Sequence, residues 1–301
     1  MRDSAKDSAI LPGMPGSALK RQSIAIVGAG NLAGALATSL HAAGYRIDLI
    51  ISRSSGASLR RARRLARQVG ASAVTGVRAK IQSQVVWFCV PDSAIAGAAE
   101  SLLEVADWKN KVALHSSGAL NSDELNVLRG RGAAVASVHP LMTFVNGARP
   151  PLATVPFALE GDRKAVVIAR SIVRDLRGVA FNIRKQQKGA YHAWGMFLSP
   201  LLTALLAASE NVAAAAGVRG KTARERMLPI LQQTLANYAR LGAAGAFSGP
   251  LVRGDADTVK KHLKALQEDR GAQEIYIVLA RAALGALPAK NRAALRKVLK
   301  A

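Results

Sequence analysis

Gly28, Gly30 and Ala33 stand at the spacing G-x-G-x-x-A, directly after the apolar run Ile24-Ala25-Ile26-Val27 and directly before a small-residue segment that opens a helix. Each has a steric task in holding a dinucleotide pyrophosphate. Gly28 takes the backbone angles of a tight turn, Gly30 lets the main chain approach phosphates without a Cβ, and Ala33 lets the helix pack closely on the strand. Free N–H groups and the helix dipole favour negative charge at that helix start, so Asn31 and Leu32 join the candidate contacts. The same string fits a merely structural strand-to-helix turn, since glycine and alanine are abundant in this chain. Its place between strand and helix favours the nucleotide reading.

The end of the second strand, Tyr45 to Ile51, decides which nucleotide. A site for NAD usually places a carboxylate there for the ribose 2′-OH. This chain has Ser52, Arg53 and Ser54, and Asp48 comes too early. Arg53 can pair with a 2′-phosphate and the serine hydroxyls can add hydrogen bonds, so NADP is expected. The alternative is that Arg53 is a solvated loop residue.

Three further groups follow strands. Val90 and Pro91, in Cys89-Val90-Pro91-Asp92, should pass the cofactor as shaped backbone, with Asp92 free to cap the next helix. His115-Ser116-Ser117-Gly118 and Ser137-Val138-His139-Pro140 end successive strands and offer imidazoles and hydroxyls. Either histidine alone reads equally as a structural hydrogen-bonding group. Farther on, Lys188, His192, Gly195, Ser199 and Thr203 recur on one face of a helix. Lys188 could bind substrate or act as an acid and His192 could move a proton near neutral pH, while the alternative leaves Lys188 in solvent at a frayed helix start. In the loop Ser248-Gly249-Pro250 to Asp255, Arg253 is an anion anchor or a surface residue, and Asp255 can cap the helix after it.

These residues need a scaffold, and the hydropathy pattern supplies one. Strands are expected at Ala71 to Val74, Val85 to Val90, Lys111 to His115 and Ala133 to Val138, with helices near Ser93 to Val105 and Asn121 to Arg129. Such alternation implies a parallel sheet with helices on both faces. Phe157 to Glu160 and Val179 to Ile183 extend it, with Arg163 to Leu176 as the helix between. From Lys185 onward the pattern is helical: Gly189 to Gly217, Thr222 to Leu241, Asp255 to Gln267, Ala272 to Leu284 and Asn291 to Leu299. The expected division is 1–22 as a disordered extension, 23–184 as the nucleotide-binding domain and 185–301 as a helical substrate and dimerisation domain.

With 301 residues, half of them hydrophobic, the chain can build two cores. Its one cysteine, Cys89, excludes an internal disulfide and reads as a buried strand thiol. No metal cluster is expected. The first 23 residues lack the apolar core of a signal peptide, so a cytoplasmic protein is expected. A net charge of +23 and the arginines of 60–67 raise nucleic acid as a partner. Yet Leu59, Ala62, Leu65, Ala66 and Val69 share one face, as on an ordinary amphipathic helix, and aromatics are only 4% of the chain, too few for stacking platforms. No dedicated nucleic-acid binding is expected. Ala190 to Ala208 is almost long enough to cross a bilayer. Its interruption by His192, Ser199, Pro200 and Thr203 makes a buried helix of the helical domain the expectation, with no membrane partner.

Taken in order, His115-Ser116-Ser117-Gly118-Ala119-Leu120, His139-Pro140-Leu141, Lys188 with Tyr191-His192-Ala193, and Ser248-Gly249-Pro250 with Arg253-Gly254-Asp255 resemble a family of bacterial two-domain Rossmann-like NADP oxidoreductases whose C-terminal domain has no assigned function. The resemblance runs from Ser23 to about Leu284. More distantly, the plan is similar to pyrroline-5-carboxylate reductase, 3-hydroxyisobutyrate dehydrogenase and prephenate dehydrogenase. It implies a Rossmann-type, mostly parallel α/β domain followed by an all-helical domain like the C-terminal domain of 6-phosphogluconate dehydrogenase. Relatives of this plan often dimerise through that domain. Hydroxy-acid dehydrogenases of the group carry a lysine followed by asparagine on the first long C-terminal helix. Here Lys188 is followed by His192 instead. The expectation is hydride transfer between NADP(H) and a small C=O or C=N substrate in a cleft between the domains, with Lys188 and His192 as donor or anchor groups and His115, Ser117 and His139 orienting substrate. The alternative is an NADP-binding sensor or scaffold without turnover.

Overall fold

The apolar runs become central strands because their side chains are buried on both faces, leaving no in-and-out alternation. The computed structural model describes residues 22–54, 56–146, 148 and 150–300. The extension expected over 1–22 lies, up to residue 21, outside the described residues. β1 (Ile24–Val27), β2 (Ile47–Ser52), β3 (Ser72–Thr75), β4 (Val85–Phe88), β5 (Val112–His115), β6 (Ala134–Pro140), β7 (Pro156–Gly161) and β8 (Val179–Asn182) form one sheet in the order β3-β2-β1-β4-β5-β6-β7-β8. Neighbours run parallel except β6 and β7, which pair antiparallel with His139 opposite Ala158. A loop rather than a crossover helix joins these two, which permits the reversal.

Between the strands run α1 (Asn31–Ala42), α2 (Gly56–Val69), α3 (Ile95–Glu100), α4 (Asn126–Arg129) and α5 (Arg163–Asp175). They cover the sheet on both sides: Leu36, Leu40, Leu65, Trp87 and Ile172 share one core, and Phe88, Ile95, Trp108 and Leu128 the other. The arginine-rich α2 buries Ala62, Leu65, Ala66 and Val69, so its cations occupy the outer face. The order reverses at β1, between β2 and β4, which opens a crevice at the strand C-termini. Gly28, Arg53, Val90, Ser117 and His139 all lie at or just beyond those ends.

Several expected helices are corrected. Ser93 to Val105 divides into a 3-10 turn (Asp92–Ala94), α3 and a second 3-10 turn (Leu103–Val105), with Ser101 turning its hydroxyl back onto Ala98 O at the end of α3. Asp92 lies inside the first turn rather than capping it. Asn121 caps a 3-10 turn (Ser122–Leu125) by accepting the Asp123 N–H, and only then does α4 begin. The helix expected over Gly189 to Gly217 is two, α6 (Lys188–Leu198) and α7 (Pro200–Ala215). Pro200 supplies no N–H and restricts Ser199, which leaves helical geometry at φ −131° and ψ −73°.

One compact unit ends at Gly195 and the next begins at Met196. The second contains the end of α6, all of α7, then α8 (Gly220–Ala246), interrupted at Gly242 with φ 68°, α9 (Pro250–Arg253), α10 (Ala256–Ala265), α11 (Arg270–Ala286) and α12 (Arg292–Val298). Val259, Leu284, Leu295 and Leu299 form its small core. Asp255 stands at the N-cap of α10 without capping it through its side chain; it accepts from Arg253 Nε at 2.9 Å. That pairing ties Arg253 down within its own loop.

The expectation of a buried helix over Ala190 to Ala208 is not met. Residues Lys185–Ala215 are apolar and long enough to cross a membrane by length and composition, but in this single chain Trp194, Phe197 (69% exposed), Leu198 and Leu201 are exposed. The second unit shows the same excess at Ile230 (69%), Leu235 and Val278.

Candidate active site

The nucleotide-type turn is built by contact as much as by torsion. Gly28 has φ +114°, and a Cβ there would fall 2.3 Å from Cys89 O. Its N–H donates to Ile51 O, while Cys89 N–H donates to Val27 O, so β1, β2 and β4 converge on this residue. Gly30 precedes α1 as a helix cap with no side-chain hydrogen bond, and a Cβ on it would meet nothing within 4 Å. The first turn of α1 is therefore free of side-chain crowding at Gly30, and its N–H groups lack helical partners, a combination that fits a pyrophosphate. Ala33 is fully buried where α1 meets the sheet. Asn31 donates from Nδ2 to Phe144 O, and Leu32 is half-buried.

Arg53 and Ser54 are exposed beyond β2, and neither the Arg53 guanidinium nor the Ser54 hydroxyl has a hydrogen-bond or ion-pair partner among the described residues. Ser52 differs. It is buried, and its Oγ donates to Arg53 O at 3.1 Å, so it shapes the loop instead of presenting a free hydroxyl. Val90 packs within reach of Gly28, and Pro91 is exposed at the cap of the following turn. Burial pushes the Cys89 thiol up to about 12, against a smaller opposing effect of its Ser116 hydrogen bond, which leaves it unreactive.

At the ends of β5 and β6 a denser group assembles. His115 is fully buried: Nε2 lies 2.9 Å from Asn121 O, and Nδ1 accepts the Ser117 N–H at 3.1 Å. With one nitrogen accepting, the other carries the proton, so both sides of the ring are used by its own loop. Burial, reinforced by the field of Lys188, holds its pKa at about 4. Ser117 Oγ accepts from the N–H groups of Ala119 and Leu120, and Trp87 donates to Ser116 Oγ. This loop is rigid, and its hydroxyls are largely committed.

Lys188, at the first turn of α6, is 2% exposed. Its Nζ donates to Ser117 O at 2.7 Å and to Ser137 Oγ at 2.6 Å. Burial draws its pKa down to about 8, while the Glu160 and Asp92 carboxylates oppose the shift. The alternative of a solvated Lys188 at a frayed helix end is excluded. Glu160 is itself buried and accepts from both the N–H and the hydroxyl of Ser122. His139 is half-buried, with Nδ1 2.8 Å from the Tyr191 hydroxyl. The His192 ring centroid lies 6.4 Å from that of His139. Gly118 separates them: a Cβ there would lie 2.7 Å from His192 Cδ2 and 2.9 Å from His139 Nε2. Its glycine is required for space, not flexibility.

The structure thus brings together Lys188, His192, His139, His115 and Ser117, all within the first unit. Ser199 and Thr203 are not part of the group; Thr203 Oγ1 donates to Ser199 O across the α7 start. Tyr191 and Glu160 were missed. Tyr191 sits three residues after Lys188, on the same side of α6, which is the signal that could have found it. Glu160 lies in an apolar strand and gave none.

Fold and geometry define the class: a Rossmann-type sheet with a nucleotide-type glycine turn and a cluster of titratable groups at its strand ends. Residues 23–115 match the family described as NADP oxidoreductase coenzyme F420-dependent, and residues 155–283 match a domain of unknown function, DUF2520. The chain combines the two. A candidate NADP oxidoreductase from Bacteroides fragilis superposes with TM-score 0.74 at 24% identity, covering 87% of this chain and 97% of that one. Pyrroline-5-carboxylate reductase from Coxiella burnetii gives 0.58 at 15%, over 93% and 98%. An imine reductase from Myxococcus stipitatus in complex with NADP+ gives 0.60 at 16%, over 93% and 100%. No curated protein sequence matches the chain.

Proposed function

We propose that the protein is an NADP(H)-dependent oxidoreductase that transfers hydride to or from a small C=O or C=N substrate. The observation that carries this reading is that the Gly28–Gly30 turn after β1 and the Lys188, His139 and His192 group at the ends of β5 and β6 lie along the same C-terminal edge of one sheet. Gly28, Gly30, Asn31, Leu32 and Ala33 would hold the pyrophosphate, Val90 and Pro91 would line its path, and Arg53 with Ser54 would hold the 2′-phosphate. Bound NADP(H) would supply the hydride chemistry. The chain's own residues supply the rest. Lys188 holds the ends of β5 and β6 together through Ser117 and Ser137 and sets a positive potential beside them, His115 and Ser117 fix the loop, and His139 and His192 reach the substrate side.

Dimerisation through the second unit is part of the same proposal. α7 and α8 expose large apolar side chains, and α7, α10 and α11 line an apolar cavity of about 570 Å³ that includes Leu205, Phe247 and Leu279. An apolar cavity beside exposed apolar helix faces suits a second copy of the chain.

The alternative, a sensor that binds NADP without turnover, is separated by experiment. NADPH oxidation is screened against keto acids, imines and aldehydes; turnover of any one supports the enzyme, and binding with no turnover across the panel supports the sensor. Coenzyme F420, which the matched family's description names, belongs in that panel as a hydride acceptor.

A further inference from the structure

We propose that Tyr191 is a positioning residue that fixes His139 in the tautomer carrying its proton on Nε2, so that a neutral imidazole N–H donates to the oxygen of a carbonyl substrate. The proposal rests on the oxidoreductase reading and names its substrate class. It begins with a proton that must be placed. Tyr191 is 6% exposed, and its hydroxyl lies 2.8 Å from His139 Nδ1, with the rings edge-on at 87° and centroids 5.4 Å apart. Among the described residues the phenol has no other hydrogen-bond partner. A buried phenol that left its O–H without an acceptor would bear a desolvation cost, so the O–H donates to Nδ1. A neutral imidazole with Nδ1 accepting carries its hydrogen on Nε2.

The surroundings keep that assignment stable. Burial, then the positive fields of Lys188 and His192 on α6 and of His115 on β5, press the His139 imidazole down to about 3. Burial holds the Tyr191 phenol up at about 12. The carboxylates of Glu160 on β7 and Asp92 after β4 act chiefly on Lys188. The missing side chain of Gly118 is what lets the Nε2 edge of His139 close on that loop, and His139 is itself partly exposed, which leaves the ring an open side toward a ligand.

A neutral N–H donor discriminates between substrates. A carbonyl oxygen has lone pairs to accept it, as in the enzymes that polarise carbonyls with neutral histidine. A quaternised iminium nitrogen has none. In the reductive direction the carbonyl carbon gains a hydride from a dihydronicotinamide, which is oxidised, and the C=O π pair passes to oxygen. That oxygen takes the Nε2 proton while Nδ1 takes the phenolic proton; a solvent proton then restores Nε2–H and Nδ1 returns its proton to the phenolate, which recovers the starting tautomer.

The test begins with the full-length protein labelled with 15N-histidine, His139 being assigned through His139→Gln. Long-range 1H–15N spectra should show His139 protonated at Nε2 and bare at Nδ1, without titration between about pH 5 and 8, the window of an ordinary histidine. Protonated Nδ1, or ordinary titration, would overturn the proposal. Tyr191→Phe should broaden the signal into mixed tautomers and lower turnover of a ketone about tenfold while NADPH binding is unchanged; an unaltered spectrum would overturn it. If that variant does not fold, the unmodified protein still reports the tautomer. Preference for an N-methyl iminium over the matching ketone would overturn the donor role. Failure to bind or oxidise NADPH would count against the oxidoreductase reading, and the spectra would still judge the tautomer.

Discussion

Lys188 Nζ lies 2.6 Å from Ser137 Oγ, although 51 positions separate the two residues in the chain. A first-turn helical lysine thereby clasps the end of β6, and through Ser117 O also the loop after β5. The bonds hold in place the two strand ends that carry His115 and His139. Its ammonium faces protein and not solvent, which makes it an organiser of the site.

Replacing that ammonium tests the role. Ser137 Oγ also donates to Ser117 O at 3.1 Å, so Lys188→Met leaves both oxygens a partner. The melting midpoint should therefore change little, because removing a buried charge offsets the lost bonds. Turnover in Lys188→Met, through displaced strand ends, and in His192→Ala, through loss of the neighbouring imidazole, should fall by about 10²-fold, with NADPH affinity retained. Unchanged turnover in both would show the cluster to be structural.

Acid should weaken the fold. His115 and His139 are held by burial at about 4 and about 3, against about 6.5 for an unperturbed histidine. The folded chain binds fewer protons than the unfolded one in that window, so stability rises with pH there: it is full above about 6.5 and erodes as pH falls toward the folded values. Lys188, lowered from 10.5 to about 8, adds a second rise between those values. Urea unfolding should show a loss of about 1–2 kcal/mol per histidine from pH 7 to about pH 5, with a smaller loss in His139→Gln. The same loss in that variant would contradict the assignment.

The exposed apolar faces of the second unit make an assembly prediction. Sedimentation at micromolar concentration should give about twice the 31.5 kDa chain mass, and Ile230→Asp with Leu235→Asp should give a folded monomer. A monomer for the unmodified chain would remove the dimer from the account, and co-sedimentation with lipid vesicles would instead assign the apolar Lys185–Ala215 segment to a membrane.

Much of the sheet could be read directly. Val85–Phe88 and Val112–His115 are short apolar runs between turn residues, and buried parallel strands leave that trace. Gly28 was readable because its torsion and its closeness to Cys89 are both properties only glycine tolerates. The break at Ser199-Pro200 was underweighted: helical periodicity continues across it while the backbone cannot. The steric role of Gly118 was not readable, since nothing in its neighbours reveals the two imidazoles that meet over it. Tyr191 had a place in a motif but no role, because its partner His139 lies 52 positions away and only the docking of α6 on β6 joins them. The expected burial of Ala190 to Ala208 failed since apolar composition states that a face must be covered, not by what.

The central claim, that the glycine turn and Arg53 hold NADP(H) for hydride transfer, is tested most directly by titrating the protein with NADPH and NADH. The account predicts much tighter binding of NADPH, with Arg53→Ala removing most of the difference through loss of the charge-assisted contact to the 2′-phosphate. Equal affinity for the two nucleotides in the unmodified protein, or no binding of either, would contradict it.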